Sequence, residues 1–148
     1  EIVVTMDADG SHSAEDIPKV VKAVEEGADV VVGSRFRGIF EEGRPPSIPR
    51  LVGNQVLNLI FYLLYRKRVS DSQSGFRAFR REFLRGVRSM AKGYEWETEV
   101  LCIAAKTGAK IAEVPILSRA RVAGISHVKM FRDFVKAIMT MLRVRIFY

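Results

Sequence analysis

Two carboxylates stand one residue apart in the string Met6-Asp7-Ala8-Asp9-Gly10, immediately after the apolar run Ile2-Val3-Val4-Thr5. In an extended segment, residues i and i+2 project to the same side, so Asp7 and Asp9 can face one point. Hard divalent cations favour oxygen ligands, and Mg²⁺ commonly takes one or two carboxylates together with substrate phosphates. The pair is therefore a candidate site for Mg²⁺ or Mn²⁺ bridging to a diphosphate. Taken alone such a pair is more often a solvated surface turn; its position between a buried strand and a capped helix raises the metal reading.

Arginines supply the complementary chemistry. Arg35 follows Gly33-Ser34, Arg50 follows Ile48-Pro49, and Arg121 opens the string Arg121-Val122-Ala123-Gly124-Ile125-Ser126. A guanidinium fork binds two phosphate oxygens at once, although each of these residues can also be a plain surface arginine. Glu95, Glu97 and Glu99 could offer a general base, but their place at a helix start suits favourable N-terminal charge. The single cysteine, Cys102, excludes an intrachain disulfide framework and a cysteine-based zinc site.

The elements that must position these groups alternate in type. Strands are predicted at Ile2 to Met6, Asp29 to Gly33, Gly75 to Phe79 and Lys110 to Ile116. Helices are predicted after Ser13, which can cap with Asp16 three residues on, and over Leu51 to Tyr65, Arg81 to Met90 and Trp96 to Thr107. A last helix is predicted from about Val128 to Tyr148, and Ser34 to Arg50, rich in Gly and Pro, as a long binding loop or lid. This order indicates an α/β fold with a mostly parallel, Rossmann-like sheet, helices on both faces and ligands at the carboxyl ends of the strands.

Composition narrows the function classes. With 48% apolar and 28% charged residues in 148, the chain is neither disordered nor low-complexity. Its net charge of +7 is unevenly spread: residues 1–74 carry −2 and residues 75–148 carry +9. The basic half has no recognisable nucleic-acid-binding motif, so no nucleic-acid partner is expected. Two stretches are candidate interfacial helices. Within the first, residues 51–65, the run Val56 to Tyr65 is nearly all apolar, broken by Asn58, but too short to span a bilayer, which takes about 20 residues. Residues 128–148 place Phe131, Phe134, Val135, Ile138 and Leu142 on one face, with Lys129, Arg132, Lys136 and Arg143 away from it, a pattern suited to a membrane surface or to ordinary packing.

The strings VTMDADGSHSAEDIPKVVKAVEEGADVVVGSR, DSQSGFRAFRREFL and GAKIAEVPILSRARVAGIS together resemble family 2 glycosyltransferases of the GT-A fold. Within that family they are most similar to the polyprenyl-phosphate glycosyltransferases, the group of dolichyl-phosphate mannose synthase. The resemblance covers essentially the whole chain. It implies transfer of mannose or glucose from a nucleotide-sugar (GDP-mannose or UDP-glucose) to dolichyl or polyprenyl phosphate, with inversion and metal assistance. It assigns Asp9, with Asp7, to the metal and donor diphosphate, and Ser11 to the place of a third ligand. Arg121 falls to the donor diphosphate as well, so that Asp9 and Arg121 carry the catalysis. Arg35, Arg50 and Ser126 fall to the acceptor phosphate.

The same resemblance implies a protein at the cytoplasmic face of the membrane, peripheral or anchored by segments outside this chain. Because the sequence opens inside a strand, residues 1–148 are expected to form the C-terminal portion of a GT-A catalytic domain truncated at its N-terminus. Weak or no activity of the isolated piece follows. Two other readings stay open: a saccharide acceptor, which requires a carboxylate base near the sugar, and a non-catalytic basic module that binds acidic lipid.

Overall fold

The computed structural model describes residues 1–40, 47–119 and 130–148. Four strands form one sheet: β1 (Ile2–Thr5), β2 (Val30–Phe40), β3 (Arg77–Arg80) and β4 (Ile111–Ser118), in the order β1-β3-β2-β4. The helices are α1 (Ile17–Glu25), α2 (Ile48–Tyr65), α3 (Arg81–Gly86), α4 (Glu95–Lys106) and α5 (Met130–Phe147), with a 3₁₀ turn over Ala14–Asp16 before α1.

The strand pairing corrects one expectation. β3 runs antiparallel to both β1 and β2, and only β2 and β4 pair in parallel. It follows that β1, β2 and β4 all point the same way, and β3 alone is reversed between them. The mostly parallel reading holds for strand direction and fails for the ladders. Buried apolar strands look alike whichever way they run, so their local pattern does not encode this.

Period-2 alternation divides the core. Val31, Phe76 and Ala78 pack with Val20 and Val24 of α1 on one face. Val30 and Phe79 pack with Val100 and Ala104 of α4 on the other, and Val32 joins the cluster that α2, α4 and α5 build there. Helices thus cover both faces, as expected for an α/β domain.

Most element bounds agree with the sequence reading to within one to three residues, but the long loop does not. β2 continues to Phe40, and α2 already begins at Ile48. The β2–β4 register shifts between Ser34 and Ile39, after which Ile39 and Phe40 pair with Leu117 and Ser118. Gly38 makes that bulge possible: a Cβ there would lie 1.8 Å from the Ile116 carbonyl oxygen. The apolar face expected of the C-terminal helix is divided. Phe134 and Ile138 pack against the core, Phe131, Val135 and Leu142 are exposed, and Arg143 is bound to Glu99.

α2 and α5 run in the same direction: Phe134 lies beside Gly53 near their first turns, and Tyr65 donates to the Met141 carbonyl at 2.6 Å further on. Lys106 holds the last carbonyls of α5, those of Val144 and Arg145, the favourable end for a cation.

Candidate active site

The acidic loop leaves the carboxyl end of β1 and is held from below. Asp7 N–H donates to His12 Nδ1 at 3.3 Å, and the imidazole is buried and stacked on Phe76 at 5.4 Å. Burial lowers the His12 pKa, so a neutral ring with an acceptor Nδ1 supports the loop. Asp9 Oδ1 accepts Ser11 N–H at 2.9 Å, tightening the turn. The end of β4 closes on the same loop, because Arg119 N–H donates to the Ser11 carbonyl at 3.0 Å and His12 bridges to Ser118.

The carboxylate of Asp7 is half-exposed and lies over Gly75, while Thr5 Oγ1 donates to the Gly75 carbonyl. Among the described residues no group of three His, Cys, Asp or Glu is placed to enclose a metal ion. Two carboxylates on an open loop nevertheless fit a hard divalent cation that completes its shell with phosphate oxygens and water. Asp7, Asp9 and Ser11 would hold such an ion only jointly with a ligand.

Arg35 stands midway along β2, directly after Ser34, where the β2–β4 register begins to shift. Its Nε and Nη2 donate to the two oxygens of Asp71 at 2.7 and 2.8 Å, and its N–H reaches Asp71 Oδ2 at 3.1 Å. Asp71 is completely buried, whereas the Arg35 side chain keeps 28% of its exposure. Burial works against the arginine's charge, but the hydrogen bonds and charge of Asp71 outweigh it and raise the pKa. Arg50 lies in the first turn of α2, one turn before Asn54, whose Nδ2 donates to Asp71 Oδ1 at 2.9 Å.

Asp71 and its neighbours lie in the DSQSGFRAFRREFL string that carries the family resemblance, but composition and spacing alone give Asp71 no role. Asn58, the one polar interruption in VLNLIFYLLY, donates from Nδ2 to the Ser70 carbonyl at 2.8 Å and accepts Ser72 N–H at 3.0 Å. Asn54 and Asn58, one turn apart, thus clamp residues 70–72; two asparagines at helical spacing on a largely apolar helix are the signal the sequence offers. Arg77 is fully buried and donates to the carbonyls of Ser72, Ser74 and Glu97, joining the 72–74 segment to α4.

Of the three glutamates, Glu99 is taken up by Ser89, the N–H groups of Met90 and Ala91, and Arg143. Glu97 is partly buried, and burial raises its pKa. Burial pushes the Cys102 thiol up to about 12, which removes it as a nucleophile. Arg121 and Ser126 lie outside the described residues; β4 ends at Ser118, at the end of the sheet where Asp7 and Arg35 are found.

The family model for glycosyl transferase family 2 matches residues 1–88. The UDP-N-acetylglucosamine–dolichyl-phosphate N-acetylglucosaminyltransferase of Methanococcus voltae is 42% identical over 119 residues, 78% of this chain and 47% of that protein. The polyprenol monophosphomannose synthase of Mycolicibacterium smegmatis is 35% identical over 130 residues, 84% of this chain and 48% of that protein. The chain spans about half the length of these curated relatives. Among solved structures, glucosyl-3-phosphoglycerate synthase from Mycobacterium tuberculosis, in complex with Mn²⁺, UDP and phosphoglyceric acid, superposes with a TM-score of 0.69. At 24% identity, covering 97% of this chain and 48% of that one, this likeness concerns the fold.

Proposed function

The chain belongs to glycosyl transferase family 2, and from that membership we propose that it is the metal- and acceptor-handling part of an enzyme that moves a sugar from a nucleotide-sugar to a polyprenyl phosphate. The observation that carries the reading is the meeting of two unlike groups at one end of the sheet. Asp7 and Asp9 follow β1, and Arg35, which follows Ser34 on β2, is near enough for the Asp7 charge to act on its guanidinium. A cation-binding carboxylate pair next to an anchored guanidinium suits a reaction with phosphate on both substrates.

A phosphate monoester has its second pKa near 6, so the acceptor is largely a dianion at neutral pH and needs no strong base. Its oxygen forms the new bond to the anomeric carbon while the bond to the donor diphosphate oxygen breaks, with inversion, and the nucleoside diphosphate departs. Mg²⁺ or Mn²⁺ bound at Asp7, Asp9 and Ser11 would offset the charge of the leaving diphosphate. Arg121 is assigned to that diphosphate, and Arg35, Arg50 and Ser126 to the acceptor phosphate. The donor we propose is GDP-mannose or UDP-glucose.

Two apolar stripes support a membrane setting. On α2, Ile48, Val52, Val56, Leu59 and Leu63 are exposed; on α5, Phe131, Val135, Met139, Leu142 and Ile146 are exposed. Both follow the same 4-4-3-4 spacing, on helices that pack together. Exposed Arg66, Lys67, Arg68, Arg132, Lys136 and Arg145 accompany them. No helix among the described residues is long and apolar enough to cross a membrane. We place the site at a lipid surface, on the cytoplasmic side where nucleotide-sugars are supplied.

A saccharide acceptor has one group in its favour, the raised carboxyl of Glu97. The deciding experiment follows labelled sugar from GDP-mannose or UDP-glucose to farnesyl phosphate or to a free disaccharide, using this chain joined to a family 2 nucleotide-binding half. Expected are Mn²⁺-dependent transfer to farnesyl phosphate, a loss of about 100-fold in Asp9→Ala, and little change in Glu97→Gln. Transfer to the disaccharide that vanishes in Glu97→Gln would overturn the reading.

A further inference from the structure

The pairing of Arg35 with Asp71 poses a question of charge. An arginine assigned to a phosphate is already engaged by a buried carboxylate, which would ordinarily weaken its pull on a second anion. The geometry resolves this. Asp71 takes one edge of the guanidinium, through Nε and Nη2. The guanidinium carbon lies over the Phe36 ring, 5.7 Å from its centroid. Among the described residues Nη1 has no hydrogen-bond partner. A flexible side chain is thereby reduced to a fixed fork with one edge to offer, which is what preorganised recognition of a phosphate requires.

Asp71 is itself fixed. Its oxygens accept Arg35 Nε, Nη2 and N–H and Asn54 Nδ2, at 2.7 to 3.1 Å, which fills the four acceptor positions of a carboxylate. No lone pair remains with which to take a proton from a substrate. Glu113, on β4 opposite Val32, sets the turn that delivers Asp71. Its Oε1 accepts Ser70 N–H at 2.8 Å, Ser70 Oγ–H at 2.9 Å and Asp71 N–H at 3.3 Å. With Ser70 Oγ donating to Glu113, the 2.6 Å contact between Ser34 and Ser70 has Ser34 as donor, and Ser34 Oγ accepts Arg37 N–H at 3.2 Å. One ordered chain of hydrogen bonds therefore ties β2, the 70–71 turn and β4 around the base of Arg35.

We propose that Asp71 and Glu113 are positioning residues for the acceptor phosphate, holding Arg35 so that its Nη1 edge receives the monoester dianion. The inference rests on the assignment of Arg35 to that phosphate, and it makes a prediction of sign. If Asp71 merely neutralised Arg35, removing its charge in Asp71→Asn would tighten anion binding. If it positions Arg35, the same substitution weakens binding although a negative charge has been taken away.

The test is titration of the 148-residue chain with farnesyl monophosphate followed by ³¹P NMR, well below each variant's melting temperature. The dissociation constant of Asp71→Asn is expected to rise about ten-fold, and that of Arg35→Gln at least as much. The double variant is expected to bind no worse than Arg35→Gln alone, since a purely structural defect would add rather than saturate. Glu113→Gln, partly accessible and nearly isosteric, is expected to weaken binding about three-fold or more through the same route, and guards against a failure of Asp71→Asn to fold. Unchanged or tighter binding in both Asp71→Asn and Glu113→Gln, with Arg35→Gln weakened, would overturn the positioning role and leave Arg35 as a phosphate ligand. No weakening in Arg35→Gln, or no binding by the unsubstituted chain, would overturn the acceptor assignment and this inference with it.

Discussion

The carboxylate of Asp7 occupies the space that a side chain at position 75 would fill: a Cβ on Gly75 would stand 2.7 Å from Asp7 Oδ1 and 3.1 Å from its Cγ. The acidic loop after β1 and the segment before β3 are thus fitted to one another, with glycine as the condition of the fit. Gly75→Ala is expected to push the Asp7 carboxylate out of line with Asp9. Its own backbone does not require glycine, since its φ is not positive, so the loss is local. Mn²⁺ titration in the presence of UDP or GDP, read by electron paramagnetic resonance, should show affinity reduced about ten-fold with the circular dichroism spectrum retained. Full Mn²⁺ affinity in this variant would separate Asp7 from the metal.

Arg77 is a charged side chain with no exposure, and its hydrogen-bond partners are the carbonyls of Ser72, Ser74 and Glu97. Burial lowers its pKa to about 10, a sign that the charge is costly and that the fork is kept for what it joins. Arg77→Met keeps the volume of the chain but leaves three buried carbonyls without a donor. At about 1–3 kcal/mol for each unsatisfied group, less the relief of removing a buried charge, a net loss of roughly 2–4 kcal/mol is expected in urea denaturation. Arg77→Lys should recover little of it, because one ammonium does not span three diverging acceptors. A loss below about 0.5 kcal/mol in both would show that the 72–74 segment is held by other contacts.

Glu99 gives the acid limb of stability a specific origin. Burial pushes its pKa up, but the Ser89 hydroxyl, the N–H groups of Ala91 and Met90 and the charge of Arg143 outweigh this, and the net shift is downward. A carboxylate whose folded pKa lies below its unfolded value stabilises the fold above the unfolded value, and this is lost as pH falls through the folded one. Stability is therefore expected to decline from about pH 4.5 downward. Glu99→Gln should flatten that decline while costing about 1–3 kcal/mol at pH 7. Parallel urea curves for the two proteins at pH 7 and pH 4 check both statements; an undiminished acid limb in Glu99→Gln would assign it to other groups.

Much of this arrangement is legible in the sequence, and the exceptions have a common cause. The apolar runs at β1 and β4, the amphipathic spacing of α1 and the glycine after α4 declare themselves within windows of a few residues. So does the acidic loop, because Asp7 and Asp9 are neighbours along the chain. What escapes is set by contacts over long separations. Arg35 and Asp71 are 36 residues apart, and Ser70 and Glu113 are 43 apart, so no local pattern joins them. The sequence pattern ends β2 at Gly33 because Gly38 reads as a loop signal, whereas its lack of a side chain admits the Ile116 backbone and the strand continues to Phe40. The inward turn of Phe134 and Ile138 depends on where α2 lies, which the period of α5 does not state.

The exposed faces of α2 and α5 lead to the last prediction. Leu59 and Leu63 are each 56% exposed, on the side of α2 away from Leu57, Asn58 and Phe61. Replacing both with Glu removes little packing, so the melting temperature should hold. If the stripes lie in a bilayer interface, the same change withdraws apolar area worth about 1 kcal/mol or more at each position and adds charge that anionic headgroups repel. Flotation with phosphatidylglycerol-containing vesicles should then show binding reduced about ten-fold or more. The accompanying cations add a salt-dependent part, which should fade as the screening length shrinks from about 10 Å at 0.1 M to about 3 Å at 1 M. An apolar part should persist at high salt in the unsubstituted chain and be missing from the double variant. Vesicle binding that vanishes in 1 M salt for both proteins would mean that basic residues alone touch the lipid, and that these two apolar stripes face something else.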